Sequence, residues 1–308
     1  MKLTNEIAAE AAKNLGFDLI GFTPADELIE ETEKLQEWLA KKYNAGMAYM
    51  ERSIEKRRDV RNILASAKSV ISLALNYYTD EKHSGDPEKG KVSRYGWGTD
   101  YHYIIWEKLE ELTNKLKSMD PGFEAMTYVD TGPVMDKVWA SKAGLGWIGK
   151  HSNLITKEFG SWVFLATVIT NYDFSFSSMV TDHCGSCTRC LEACPTGAIT
   201  SEYVVDGSRC ISYLTIENKA EIPEDFKGKM EGWLFGCDIC QEVCPWNIKF
   251  PKVTSEEKFL PENGNKEIDL KEVLSMESTD FKVRFRRSPI NRAKLKGLKR
   301  NAEFLKKD

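Results

Sequence analysis

Eight cysteines are the residues of this 308-residue chain whose type and spacing point most plainly to chemistry. They are Cys184, Cys187, Cys190, Cys194, Cys210, Cys237, Cys240 and Cys244, and no cysteine precedes Cys184. The first four read Cys-x₂-Cys-x₂-Cys-x₃-Cys and run into Pro195. Cys237, Cys240 and Cys244 repeat the last two intervals and run into Pro245, with Cys210 standing upstream. Disulfide frameworks belong to oxidising compartments and small secreted domains, so this crowding points to bound metal.

The run Cys-x₂-Cys-x₂-Cys-x₃-Cys-Pro is the form in which bacterial ferredoxins ligate [4Fe–4S] clusters, the fourth cysteine reaching across to the other cluster. On that pattern Cys184, Cys187, Cys190 and Cys244 hold one cluster, and Cys194, Cys210, Cys237 and Cys240 hold the second. The alternative is a pair of Cys₄ zinc sites, but these present separated cysteine pairs rather than a triplet with a fourth Cys-Pro. One departure matters: the long stretch 211–236 separates Cys210 from Cys237. That insertion is too long for a protein that only shuttles electrons, and it is expected to meet another cofactor or a partner.

The rest of the chain is that of an ordinary globular protein, with 42% hydrophobic and 29% charged residues. No apolar run approaches the roughly 20 residues needed to cross a bilayer. The N-terminus is charged and helix-patterned rather than signal-like, so a cytosolic protein is expected. Charge is unevenly placed. Positions 282–308 carry eleven Lys and Arg against Glu303 and Asp308, a local +9 on a chain of net −4, which leaves −13 for everything before them. A basic end on an acidic body suggests a polyanionic partner.

Periodicity predicts helices over 4–15, about 26–42, 99–118 and 133–143, and strands over 17–22, 69–75, 124–129 and 161–170. Residues 79–92 read as a polar loop and 251–266 as a loop or boundary. The fold class is α+β, and three segments follow: 1–178, 179–250 around the cysteines, and 251–308 ending in a basic amphipathic helix.

Several stretches resemble the epoxyqueuosine reductases, which complete queuosine synthesis in tRNA. They are Ser93 to His102 (SRYGWGTDYH), Val129 to Pro133 (VDTGP), Lys142 to Lys150 (KAGLGWIGK) and the two cysteine groups, in the same order and with the same long insertion. The family's longer members continue into helical repeats beyond the point where this sequence stops. The resemblance implies a nitroreductase-like cobalamin-binding domain fed by two [4Fe–4S] clusters in a ferredoxin-like domain. It further implies reduction of epoxyqueuosine at the tRNA wobble position, an external low-potential electron donor and a monomer. It places the proton donor at Asp130, which ends a strand-like run and precedes the turn Thr131-Gly132-Pro133. Opening an epoxide requires such a donor, since an unprotonated alkoxide is a poor leaving group. A helix-capping role is the bland reading of the same residue, and Asp136 is the second choice.

The resemblance also places Ser93, Asp130, Leu154, Leu165, Ser212, Cys237 and Asp238 along the cobalamin, partly through backbone groups. Asp100-Tyr101-His102 begins the Asp-x-His-x-x-Gly cobalamin signature, but Ile105 stands where its glycine would be, so His102 is expected to pack rather than ligate cobalt. Gly144, Gly146 and Gly149 fit no phosphate-loop spacing and read as turn glycines around a buried Trp147. In the C-terminal segment Arg286, Arg287, Lys299 and Arg300 are the candidate tRNA contacts. A reductive dehalogenase-like enzyme, a flavin reductase, or an electron-transfer module serving another protein are the competing readings.

Overall fold

The computed structural model describes residues 2–306. Lys307 of the basic end lies outside the described residues. At the centre stands the strand Ser69–Asn76, buried at every position. It is mostly apolar because both its faces are covered, with Ser69, Ser72 and Asn76 buried among its aliphatic residues. Antiparallel partners flank it, giving a sheet in the order Leu19–Pro24, Ser69–Asn76, Val163–Thr170 and Ala125–Tyr128.

Alternate strand residues serve opposite faces. Ile71, Leu73 and Leu75 pack against Ala8 and Ala11 of the helix Asn5–Asn14, and against Ile105 and Leu109 of the helix Tyr101–Met119. Val70 and Ala74 meet Trp139 and Ala140 of the helix Asp136–Lys142 on the other side. The long helix starts where expected because the Asp100 carboxylate accepts the His102 N–H at 3.1 Å, a standard N-cap. Gly144 then ends the helix Asp136–Lys142 at φ +79°, and a Cβ on Gly146 would sit 2.0 Å from the Ile155 carbonyl oxygen. The AGLGWIG stretch is therefore a tight turn around buried Trp147.

A second sheet crosses the boundaries drawn from the sequence. Lys89–Val92 lies between Trp233–Phe235, to which it is parallel, and Glu267–Asp269, to which it is antiparallel. One strand comes from each of the three expected segments, so 178 and 250 mark changes along the chain rather than separable bodies. The Lys89–Val92 strand was hidden in the polar loop: Lys-Gly-Lys-Val shows no apolar period, and its partners lie far away in sequence. The basic end is not a free tail either. Its helix Lys294–Lys306 buries Leu298 and Ala302 against Val92, Leu234 and Phe235. The 211–236 insertion is thus anchored from both sides.

Around the cysteines the elements are short: the helices Arg189–Ala193, Ile211–Ile216, Ile239–Glu242 and Pro245–Lys249, and a ribbon of Ile199–Ser201 with Val204–Val205. Such a region takes its order from what its thiols bind.

Candidate metal centres and active-site cleft

All eight cysteines are free thiols. Burial raises the Cys190 thiol to about 11, and Cys244, Cys184 and Cys187 add to that rise as neighbouring charges. Burial likewise raises Cys240, with Cys210 and Cys194 among the charges around it. Cys237 is raised by burial, then by Cys240 and Cys210. These influences run mainly within the foursome Cys184, Cys187, Cys190 and Cys244 and within the foursome Cys194, Cys210, Cys237 and Cys240, with Cys240 also feeling Cys190, although among the described residues no three His, Cys, Asp or Glu side chains are drawn together as a metal site. Backbone N–H groups point at the sulfurs: Ala198 at Cys194 (3.3 Å), Ser212 and Tyr213 at Cys210, Ile239 at Cys237, Trp246 and Asn247 at Cys244. Donors aimed at sulfur suit thiolate ligands, and such hydrogen bonds are one control on cluster potential. Gly236, at φ +70°, is needed just before Cys237, since a Cβ there would lie 2.5 Å from the Ser93 Cβ.

Asp130 follows buried Val129, just past the strand Ala125–Tyr128, in a turn with φ +56°, a region that aspartate tolerates better than most residues. The Tyr101 hydroxyl donates to its Oδ2 at 2.8 Å. Burial, with the Asp130 charge next, drives the Tyr101 hydroxyl well above its ordinary value, so it stays a neutral donor. The sequence draws attention to His102 at this motif; the residue that touches Asp130 is its neighbour. His102 stacks on Tyr101, ring centroids 4.1 Å apart, and leans on Asp100.

Asp136 opens the next helix and accepts a hydrogen bond from the Thr167 hydroxyl at 2.5 Å. Burial, followed by the charge of Asp130, lifts it to about 7. Lys137 beside it responds to Asp130 and Asp136, and also to Cys240 and Cys210 of the second foursome. Both side chains retain solvent access although burial dominates their behaviour, as happens to groups lining a concavity. Through Lys137 the two acids and the second foursome lie within electrostatic reach of one another. Tyr49 and Arg292 also respond to Asp130.

Of the residues expected along a cobalamin, Leu154 and half-buried Leu165 form an apolar wall with Ala74, Ala140 and Leu145. Ser212 is half-buried at the start of the insertion helix. Ser93 and Asp238 are buried and engage each other, the hydroxyl donating to Oδ1 at 2.6 Å while the Arg94 N–H binds Oδ2 at 2.7 Å. Their side chains therefore bind each other and the Arg94 backbone rather than standing free. A separate groove of about 760 Å³, lined by Tyr78, Arg94, Trp162 and Trp233 among others, borders the cluster segment but contains neither acid.

Among the candidate tRNA contacts, Arg286 and Arg287 are exposed and Lys299 is half-buried. Arg300 is corrected. It is 9% exposed, and its guanidinium donates to the carbonyls of Leu214, Asn218 and Ala220 and to Asn301 Oδ1. It ties the C-terminal helix to the insertion and has no donor face left for phosphate.

The Asp136 shift has a measurable consequence. A carboxyl raised from 3.8 to about 7 on folding favours the folded state below about pH 4, and that contribution is lost as pH rises through about 7. Thermal unfolding of cluster-loaded protein should show stability falling across this window, and the fall should shrink in Asp136→Asn. Identical pH profiles for the two proteins would mean that the carboxyl is not held protonated.

Fold and cysteine pattern together define an iron–sulfur oxidoreductase, with the acids Asp130 and Asp136 electrostatically linked to its second cysteine group. Residues 183–247 match the 4Fe-4S double cluster binding domain, and residues 57–131 match the family described as Epoxyqueuosine reductase QueG, DUF1730. The chain is 48% identical over 303 residues to the epoxyqueuosine reductase of Leadbetterella byssophila, covering 98% of each. It is 46% identical to that of Synechocystis sp., over 92% of this chain and 99% of the relative. A crystal structure of epoxyqueuosine reductase with a tRNA-Tyr epoxyqueuosine-modified stem loop superposes at TM-score 0.91 and 35% identity, covering 97% of this chain and 80% of that one. A Bacillus subtilis structure, described as having its catalytic aspartate loop swung out of the active site, also gives 0.91, at 34% identity and the same coverage. This chain belongs to the epoxyqueuosine reductase family.

Proposed function

We infer that the chain reduces epoxyqueuosine to queuosine at the wobble position of tRNA, with Asp130 as the proton donor. The observation that carries this reading is the electrostatic proximity of Asp130, Asp136, Cys210 and Cys240 around Lys137. Removing an epoxide oxygen as water and leaving an alkene takes two electrons and two protons, so an electron source and an acid must face the same substrate. Cys184, Cys187, Cys190 and Cys244 ligate one [4Fe–4S] cluster and Cys194, Cys210, Cys237 and Cys240 the other. Cobalamin, lined by Leu154, Leu165, Ser212, Cys237 and the backbone of Ser93 and Asp238, would supply the low-potential reducing centre for carbon–oxygen cleavage.

Within the cleft Asp130 delivers a proton to the departing oxygen, and Tyr101 fixes which carboxylate oxygen is free to do so. The B. subtilis relative's catalytic aspartate loop, seen swung out of its active site, supports a turn that opens for substrate. Electrons come from an external low-potential donor. One chain contains both thiol groups and the cleft, so a monomer suffices. Segment 1–178 provides the cofactor wall and acids, 179–250 the clusters, and 251–308 the basic surface. Among the described residues no helix is long and apolar enough to cross a membrane; reduced thiols and a tRNA substrate both fit the cytoplasm. The test is anaerobic turnover of an epoxyqueuosine-bearing stem-loop with and without added cobalamin: activity only with cobalamin supports the reading, and equal activity without it opposes the assignment.

Arg286, Arg287 and Lys299 hold tRNA by its phosphates. Phosphate contacts position a nucleic acid without reading sequence, and their affinity falls with salt through counterion release. Replacing the three with Ala should weaken tRNA binding and lower the slope of log affinity against log salt by roughly 2 to 3. Unchanged affinity and slope in a salt titration would place the anion surface elsewhere.

A further inference from the structure

The long helix beginning at Tyr101 buries Tyr101, Ile104, Ile105, Leu109, Leu112 and Leu116. On its other face two large aromatic rings are left in water: Tyr103 is 41% exposed and Trp106 43%. They are three positions apart, hence neighbours on one helical face. Their centroids lie 6.2 Å apart with the planes at 90°. The Arg287 guanidinium stands 5.1 Å from the Tyr103 ring centroid. It is held at the helix start because the Asp100 N–H donates to the Arg287 carbonyl at 2.7 Å. Glu107 is 4.0 Å from Arg287 and 3.9 Å from Lys258, surface pairings that are weak and easily exchanged.

This patch leads to the acid. Trp106 is 5.4 Å from His102, His102 stacks on Tyr101 at 4.1 Å, and Tyr101 donates to Asp130. We propose that Tyr103 and Trp106, with Arg287 beside them, are a stacking platform for an unpaired nucleobase of the anticodon loop next to the modified nucleoside. The proposal rests on the tRNA reading above and deepens it. Unpaired loops offer splayed bases, and proteins take them by stacking on aromatic rings and guanidinium planes. A cationic rim beside the exposed rings suits a ligand that is flat and apolar in its base and anionic in its backbone. The run of contacts from Trp106 through His102 and Tyr101 to Asp130 places that ligand on the side of the helix that leads to the acid.

The test uses full-length, cluster-loaded protein and an epoxyqueuosine-bearing anticodon stem-loop. Trp106→Ala should raise KM about 10-fold or more, the range set by loss of one stacked base, with kcat and iron content unchanged. Trp106→Phe should recover most of the loss, and Tyr103→Ala should behave like Trp106→Ala but more mildly. Because stacking releases few counterions, the salt dependence of binding should stay at the wild-type slope, unlike that of the Arg286, Arg287 and Lys299 variant. Stem-loop binding should also quench tryptophan fluorescence in wild type, with the quench reduced in Trp106→Phe. Wild-type KM in both alanine variants, with the quench intact in Trp106→Phe, would overturn the platform. So would a loss that comes with a flattened salt slope, since it would mean phosphate contact instead. If wild-type protein fails to reduce the stem-loop at all, it is the tRNA reading that has failed, and the outcome is distinguishable.

Discussion

Asp130→Asn is expected to lose roughly 10²-fold or more in kcat, the usual size of a general-acid contribution, while iron, sulfide and cobalamin content stay at wild-type levels. The amide keeps the shape of the side chain and can still accept from the Tyr101 hydroxyl, now 2.8 Å from Oδ2. What it removes is the transferable proton. Asp130 lies outside the cysteine segment and is exposed, so the substitution should leave the fold intact. The check is single-turnover reduction under saturating reductant. A variant that turns over at the wild-type rate would reduce Asp130 to a turn residue and move the role to Asp136, whose carboxyl is already raised to about 7.

The second large effect separates the two metal centres. Wild-type protein purified without oxygen should hold about eight iron and eight sulfide per chain, the content of two cubanes. Cys187→Ala should fall to about four of each, since its foursome with Cys184, Cys190 and Cys244 is distinct from the one at the cleft. Cys240→Ala should also lose one cluster, but it should abolish turnover, because its foursome is the one that Lys137 shares with Asp130. Both variants failing to bind any iron would mean that the clusters fold as one unit. Two zinc ions per chain with no iron after anaerobic reconstitution would contradict the assignment outright.

Much of this site was legible in the sequence where its determinants are local. Cysteine spacing is set by how short loops wrap a cubane, and it reports the foursomes before any fold is known. The strands Ser69–Asn76 and Val163–Thr170 announced themselves as largely apolar runs because the first is buried at every position and the second at all but Val163 and Leu165, leaving no regular polar alternation. Asp130 stood out as a strand-end acid before a Thr-Gly-Pro turn. Other features depend on contacts far apart in the chain. Lys89–Val92 is a strand only because Trp233–Phe235 and Glu267–Asp269 reach it. Arg300 has the same formula as Arg286, yet one caps interior carbonyls and the other stands in water; charge counting cannot separate them. Ser93 and Asp238 read as cobalamin neighbours, partly through their backbone, and only the folded chain shows that their side chains hydrogen-bond to each other. Tyr101 was overshadowed by His102, since only the folded chain shows which of two adjacent rings turns toward Asp130.

The central claim is that one cleft couples cluster electrons to Asp130 acid for removal of a single oxygen from a tRNA nucleoside. The most direct test is a single-turnover reaction of the cluster- and cobalamin-loaded protein with an epoxyqueuosine stem-loop, in which electrons consumed are titrated against product nucleoside identified by mass spectrometry. Queuosine, lighter by one oxygen atom, should form with two electrons per molecule, and its formation should depend on both Asp130 and Cys240. Substrate left unchanged while the clusters are fully reduced, or product formed equally well by the Asp130→Asn and Cys240→Ala variants, would contradict it.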